Sequence, residues 1–202
     1  LKTKNITADK NIVLYDANGK DALEVKDYLS KKGYKSLYVY DVRQWAEDES
    51  LPMEQYKNYH MIVPASIVKD IVDGKKPETF EDATNIKIVE ASWGEEKTSY
   101  ANGHIPTSVH INTDTIEPPP EWMLASDAEL TQFALDYGFT KDDTIIVTGE
   151  APMASYRVAM VLRYMGVKDV RVLNGGLNAW KAAGYEVETV SNKPVPGTDF
   201  GA

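Results

Sequence analysis

The chain has 202 residues, 31 acidic and 22 basic, for a formal charge of -9. Phosphate binding wants clustered Lys and Arg, so this balance argues against a nucleic-acid partner, and no stretch reaches the roughly 20 apolar residues of a membrane span. Cysteine is absent, which excludes disulfides, thiolate metal sites and a cysteine nucleophile within these residues, and leaves the redox compartment open.

In chain order, residues 12–15 form a short apolar run, and Asp16-Ala-Asn-Gly19 carries turn chemistry. Ala22, Val25, Tyr28 and Leu29 then recur at helical spacing, and Gly33 stands where a helix ends. Residues 36–40 read as a second buried strand, completing a strand–helix–strand unit of the kind that builds parallel sheets. Residues 51–83 contain Leu-Pro-Met, several tyrosines and a short helix striped by Ile67, Val68, Ile71 and Val72 and stopped by Asp73-Gly74.

A strand is predicted at 86–90 and a helix at 126–137, with Leu130, Phe133, Ala134 and Tyr137 on one face. The strand at 146–148 runs into Gly149. A helix striped by Ala154, Val158, Val161, Leu162 and Met165 follows, then Gly166 and a strand at 168–173. Gly176, Leu177, Ala179 and Trp180 open a last short helix that stops at Gly184, and the tail 191–202 reads as a linker.

The first strand–helix–strand pattern returns at a fixed offset of 133 residues: Val13 matches Ile146, Asp16 matches Gly149 and Gly33 matches Gly166. Strand, turn, helix, glycine and strand recurring in step read as two copies of one domain type. The second copy looks complete. The first lacks an opening strand and a covering helix, so it is expected to expose an apolar edge and face.

Lys87-Ile-Val-Glu90 followed by Gly103-His-Ile-Pro-Thr-Ser-Val-His-Ile111, and the closing segment from Leu162 through Asn174-Gly175-Gly176-Leu-Asn-Ala-Trp180, resemble the rhodanese family. They cover nearly all of residues 84–190. The segment 11–60 resembles the second half of a preceding rhodanese domain, and the interdomain stretch with Glu90-Ala-Ser-Trp-Gly94 resembles multidomain bacterial thiosulfate sulfurtransferases, three-domain members among them.

The resemblance implies an α/β fold: a rhodanese-like parallel sheet with helices on both faces, one complete domain plus a partial preceding one. Residues 1–50 would be the C-terminal half of a non-catalytic domain and 51–83 an interdomain segment. Residues 84–190 would be a complete non-catalytic domain and 191–202 a truncated linker. Glu90, Gly103, His104, Pro106, Asn174, Gly175, Gly176 and Trp180 would be its structural motif residues. Thr107 and Ser108 stand where the family prefers Gly-Ala, and Asn174 where it prefers Asp. For location the resemblance points to the bacterial periplasm or another extracytoplasmic setting, and composition leaves the cytoplasm open.

The active corner departs further. In the family, backbone N–H groups of a loop surround a cysteine that carries sulfane sulfur as a persulfide. The matching loop here is Gly149-Glu-Ala-Pro-Met-Ala154, with Gly149 at the cysteine's position, and in the partial domain it is Asp16-Ala-Asn-Gly-Lys-Asp21, with Asp16 there. Covalent sulfur transfer needs a polarisable nucleophile of lowered pKa, which neither residue supplies, so no catalytic residue is expected.

The same corners carry residues suited to other chemistry. Asp16 is an acceptor for the following helix N-terminus before it is a nucleophile toward phosphate. Glu150, Ala151, Met153 and Ala154 are candidates for an anion-binding loop, although Pro152 removes one donor. Self-capping of the loop by Glu150 is the plainer reading. Arg157 either reaches a bound anion or forms an ion pair with Glu90 or Glu150, and Trp93 and Trp180 read as packing residues.

His104 is expected to fix its loop by a hydrogen bond. His60, His104 and His110 lack the spacing of a ligand set, so neither metal nor cofactor is expected. Glycine-rich nucleotide loops are missing.

Two functions stay open. The chain is the non-catalytic part of a sulfurtransferase, partnered by the remaining domains of its parent or by a neighbouring chain. Alternatively it is a non-enzymatic module that holds an anion or a protein partner.

Overall fold

Short runs of aliphatic and aromatic residues, Ile-Val-Leu-Tyr and Leu-Tyr-Val-Tyr, form the first strands. In the computed structural model, which describes all residues except 1–3, 17–18, 48–50, 52–53, 55–56 and 202, the chain divides into two units, Leu1–Tyr56 and Lys57–Ala202. The first contains β1 (Ile12–Asp16), α1 (Lys20–Lys31), β2 (Leu37–Asp41) and α2 (Val42–Glu47). β1 and β2 are parallel, with Val13 opposite Tyr38 and Tyr15 opposite Tyr40. One face, with Ile12, Leu14, Leu37 and Val39, is half-buried, and α1 contributes the buried Ala22 and Leu29. The other face is open: Val13 is 59%, Tyr15 68% and Tyr38 56% exposed. Pro52 and Met53 of the Leu-Pro-Met stretch lie outside the described residues.

The second unit carries β3 (Ile62–Val63), α3 (Ala65–Val72), β4 (Lys87–Ser92), β5 (Val109–Asn112), α4 (Asp127–Asp136), β6 (Thr144–Thr148), α5 (Pro152–Tyr164), β7 (Asp169–Leu173) and α6 (Gly176–Ala182). Its five strands are all parallel, in the order β3-β7-β6-β4-β5. A parallel sheet covered on both faces needs apolar residues at successive positions, and every residue of β6 is buried.

The period of two sorts those residues between two cores. Val89, Ala91, Ile145, Val147, Val170 and Val172 join Leu130 and Phe133 of α4 and Val158 and Leu162 of α5. Ile88, Ile146 and Leu173 join Val68 of α3, Leu177 and Trp180 of α6, and the loop residues Phe80 and Ile105. Each such side chain contributes about 1.5–3 kcal/mol on full burial. α4 is closed by a reciprocal cap between Ser126 and Glu129.

Two segments sit differently from the sequence reading. Within 51–83, residues 57–83 belong to the second unit: β3 extends the sheet beside β7, and Val68 and Phe80 are fully buried in its core. The tail 191–202 is packed rather than free. Gly197 N–H donates to Leu135 O at 2.7 Å, Lys141 N–H to Phe200 O at 2.9 Å, and Phe200 joins the α4–α5 core. A Cβ at Gly138 would lie 2.1 Å from Val195 O, so the tail's path requires that glycine.

Candidate functional site

The corner between β6 and α5 is built by two glycines. Gly149 follows the last residue of β6, and its carbonyl accepts the Leu177 N–H at 3.0 Å, which fixes the start of α6 against the corner. A Cβ at Gly149 would lie 2.3 Å from the Ala91 carbonyl oxygen of β4 and 3.0 Å from Ser155 Oγ. A Cβ at Gly176 would lie 2.3 Å from Gly149 O. Strand β4, the corner and α6 thus meet backbone to backbone, and no side chain of any kind fits at position 149.

The six-residue loop expected at 149–154 contracts to Glu150 and Ala151 before the helix begins. Pro152 occupies the first turn of α5, where its missing N–H costs nothing. Met153 and Ala154 lie inside the helix, and the Ala154 N–H is used by Ala151 O at 3.1 Å. Glu150 is exposed, and α5 has no side-chain cap, so the expected self-capping is not formed. Arg157 pairs with neither Glu90 nor Glu150. Its guanidinium meets the carboxylate of Glu117, 40 residues away in sequence, with Nε donating to Oε2 at 3.2 Å. Spacing could not have revealed that partner.

Glu90 stands one strand over, opposite Thr148 on β6 and His110 on β5. It is fully buried, and neither carboxylate oxygen has a hydrogen-bond partner among the described residues. Burial pushes its pKa up to about 7; the charge of Lys181 opposes this and that of Glu150 adds to it. Thr148 Oγ1 and Ser155 Oγ are likewise buried and unpartnered. His110 bonds Ser92 Oγ through Nε2 at 2.7 Å, and burial lowers its pKa.

The remaining motif residues hold the loop that leads into β5. His104 is buried, with Nδ1 2.9 Å from Tyr100 O and its ring stacked on Tyr100 at 3.5 Å. Its backbone exchanges two hydrogen bonds with Glu188. Gly103 is buried against Val187, and the half-buried Pro106 opens the turn that follows. Thr107 adopts φ 70, a conformation that costs a β-branched residue about 1–2 kcal/mol and explains why glycine suits this place; its N–H donates to Glu188 Oε1 at 2.6 Å. The Asn174 N–H ties β3 through Val63 O at 2.8 Å, and Gly175 caps α6 at φ 74. Trp180 is buried and donates Nε1–H to Glu186 O at 2.8 Å. Trp93, read as a packing residue, is 51% exposed.

In the first unit the Asp16 carboxylate accepts the N–H of Gly19 and, at 2.6 Å, that of Ala22 in the first turn of α1. It acts as a helix-terminus acceptor, where negative charge is favoured. Ala17 and Asn18 of its loop lie outside the described residues.

The profile of the Rhodanese-like domain matches residues 64–183. Over its whole length the chain is 33% identical to thiosulfate sulfurtransferase YnjE of Escherichia coli, of which it spans 45%. It is 25% identical over 123 residues to thiosulfate sulfurtransferase of Rattus norvegicus, covering 55% of the chain and 41% of that protein. Among solved structures, an anaerobic ergothioneine biosynthesis enzyme from Chlorobium limicola, in complex with trimethyl histidine, superposes with a TM-score of 0.77 at 25% identity. That match covers 100% of this chain and 51% of the enzyme. The chain therefore spans about half the length, or less, of these relatives. No helix among the described residues is long and apolar enough to cross a membrane. With a five-stranded parallel sheet flanked by helices, and a family match over more than half its length, the chain belongs to the rhodanese-like domain family.

Proposed function

We propose that this chain is a non-catalytic part of a multidomain thiosulfate sulfurtransferase, in which it frames domain interfaces while another domain carries the persulfide cysteine. The observation that carries this reading is the corner at Gly149: the sequence has no cysteine, and the β4 backbone fills the space where one would attach. Two further features support it. The two relatives matched over the whole chain are about twice its length, and the open face of β1–β2 calls for a cover supplied by other parts of the parent. In such a parent the cysteine thiolate takes the outer sulfur of thiosulfate and sulfite leaves. The acceptor then takes that sulfur and returns the thiolate.

The whole-chain likeness to the ergothioneine enzyme favours a second choice of acceptor, a histidine-derived imidazole in place of a small thiophile. The alternative is a non-enzymatic module that holds an anion or a protein partner; its anion-holding form would draw on the Glu150–Ala151 turn and the first turn of α5, where Met153 and Ala154 lie.

The test is thiosulfate:cyanide sulfur transfer, measured as thiocyanate released, on the isolated chain and on its longest natural polypeptide, each verified by intact mass. Silence from the chain and turnover by the longer protein is the expected result. Turnover by the chain itself, or a longer protein that is also silent, would overturn the reading.

A further inference from the structure

A serine and a histidine meet where β4 ends. Ser92 is the last residue of that strand, and His110 lies on the neighbouring strand β5. Ser92 Oγ is 2.7 Å from His110 Nε2 and 3.1 Å from the Gly94 carbonyl oxygen. A hydroxyl has one hydrogen, and the tautomer of the imidazole decides which acceptor takes it. Both residues are buried, at 4% and 8% exposure, yet each borders a different cavity.

On one side, His110 lines a groove of about 610 Å³ with Glu95 and Glu96. Nε2 is turned to Ser92, so the ring presents Nδ1 to this groove. Burial lowers the imidazole pKa and keeps the ring neutral at pH 7, while the charges of Glu96 and Glu95 pull the other way. Those carboxylates favour the single hydrogen on Nδ1, which leaves Nε2 as the acceptor for the Ser92 proton.

On the other side, Ser92 lines a cavity of about 200 Å³ with Trp93, Ser99, Glu150 and Ala151. The N–H groups of Glu150 and Ala151 stand at the start of α5 and have no acceptor among the described residues. Unpaired N–H groups at a helix start favour a developing negative charge. A nucleophile, a base bonded to it and donors for an oxyanion are the parts of an acyl-transfer site.

We propose that Ser92 and His110 form a nucleophile–base pair that hydrolyses small acyl esters. Ser92 Oγ attacks the ester carbonyl, and its proton passes to His110 Nε2. The carbonyl oxygen, now negative, is held by the Glu150 and Ala151 N–H groups. The carbon–oxygen bond to the alcohol then breaks, and the alcohol leaves with the proton from Nε2. Water gives a proton to the same nitrogen, attacks the acyl-serine and releases the acid, and Ser92 recovers its hydrogen. The cavity is smaller than the roughly 300 Å³ at which pockets for drug-sized ligands begin, so it takes an acetyl-sized acyl group and leaves the alcohol outside. This activity needs no cysteine and goes beyond sulfur transfer.

The experiment is labelling of the whole 202-residue chain with a small fluorophosphonate, the modified residue being located by tandem mass spectrometry. Ser92 Oγ displaces fluoride from phosphorus and His110 takes the proton, so an adduct on Ser92 alone is expected. Release of p-nitrophenol from p-nitrophenyl acetate measures turnover. Ser92→Ala should reduce it to the rate without protein. His110→Gln keeps a hydrogen-bonding group beside Ser92 and should slow both reactions about 100-fold or more. Far-UV circular dichroism checks the fold of each variant, and the adduct on the parent chain does not depend on either. An unlabelled chain, an adduct on another residue, or labelling that is as fast in a folded His110→Gln would overturn the proposal and leave the pair as a tie between β4 and β5. Neither readout involves thiosulfate or thiocyanate, so the ester activity and the proposed function fail separately.

Discussion

The segments β1–α1–β2 and β6–α5–β7 are both strand–helix–strand units with parallel strands, and they differ in what surrounds them. Val13 and Tyr38 are exposed in the first, whereas their counterparts Ile146 and Arg171 are buried, Arg171 beneath the Phe80 ring at 3.8 Å. The corners differ too. Asp16 reaches forward with a carboxylate to hold the first N–H groups of α1, and Gly149 removes its side chain so that β4 and α6 can close on the turn. Strand–helix–strand geometry thus needs only local pattern and a satisfied helix start. The environment of the corner is decided by the strands and helices laid against it.

The comparison can be broken most severely at Gly149. Gly149→Ala should cost about 3 kcal/mol or more in urea unfolding, since the new Cβ meets backbone and no flexible side chain can yield. Gly149→Cys should be as unstable and should release no thiocyanate; a stable, persulfide-bearing variant would show that the corner can open.

Glu90 gives the next effect, and it has no counterpart in the first unit. Its folded pKa of about 7 lies above the unfolded value of 4.5. The folded state therefore binds more protons between these values, and stability is lost as pH rises through 7. Glu90→Gln removes that dependence. Between pH 5 and pH 8 the variant should gain about 3 kcal/mol relative to the parent chain in matched denaturation curves. Parallel curves would refute the buried acid.

Asp16→Ala should cost about 1 kcal/mol, confined to the first unit and visible as faster amide exchange in α1 with α5 unchanged. The smallest effect sharpens the contrast in burial. Lys at Tyr15 or Tyr38 should change the stability of this chain by less than about 0.5 kcal/mol. In a longer polypeptide that covers this face, the same change should destabilise.

Much of the fold was legible because its signals are local. The stripe Leu130, Phe133, Ala134 marks α4, the glycines at 33 and 166 mark helix ends, and the apolar runs at 12–15 and 146–148 mark strands. The edge strand β3 escaped because two residues have no periodicity, and the tail escaped because a single Phe200 anchors it. At the candidate site, the missing cysteine was plain and the capping role of Asp16 followed from its place before a helix. The Arg157–Glu117 pair and the contracted loop did not follow from sequence, because both depend on segments far apart in the chain.

The sequence alone determined the α/β class, the parallel sheet, the family and the absence of cysteine, since each rests on residue type and short-range spacing. Only the tertiary structure decided that position 149 admits no side chain, that Glu90 is a buried acid with a raised pKa, and that Ser92 meets His110. Those properties are set by what approaches from β4, β5 and α6, and distance in space is not written in distance along the chain.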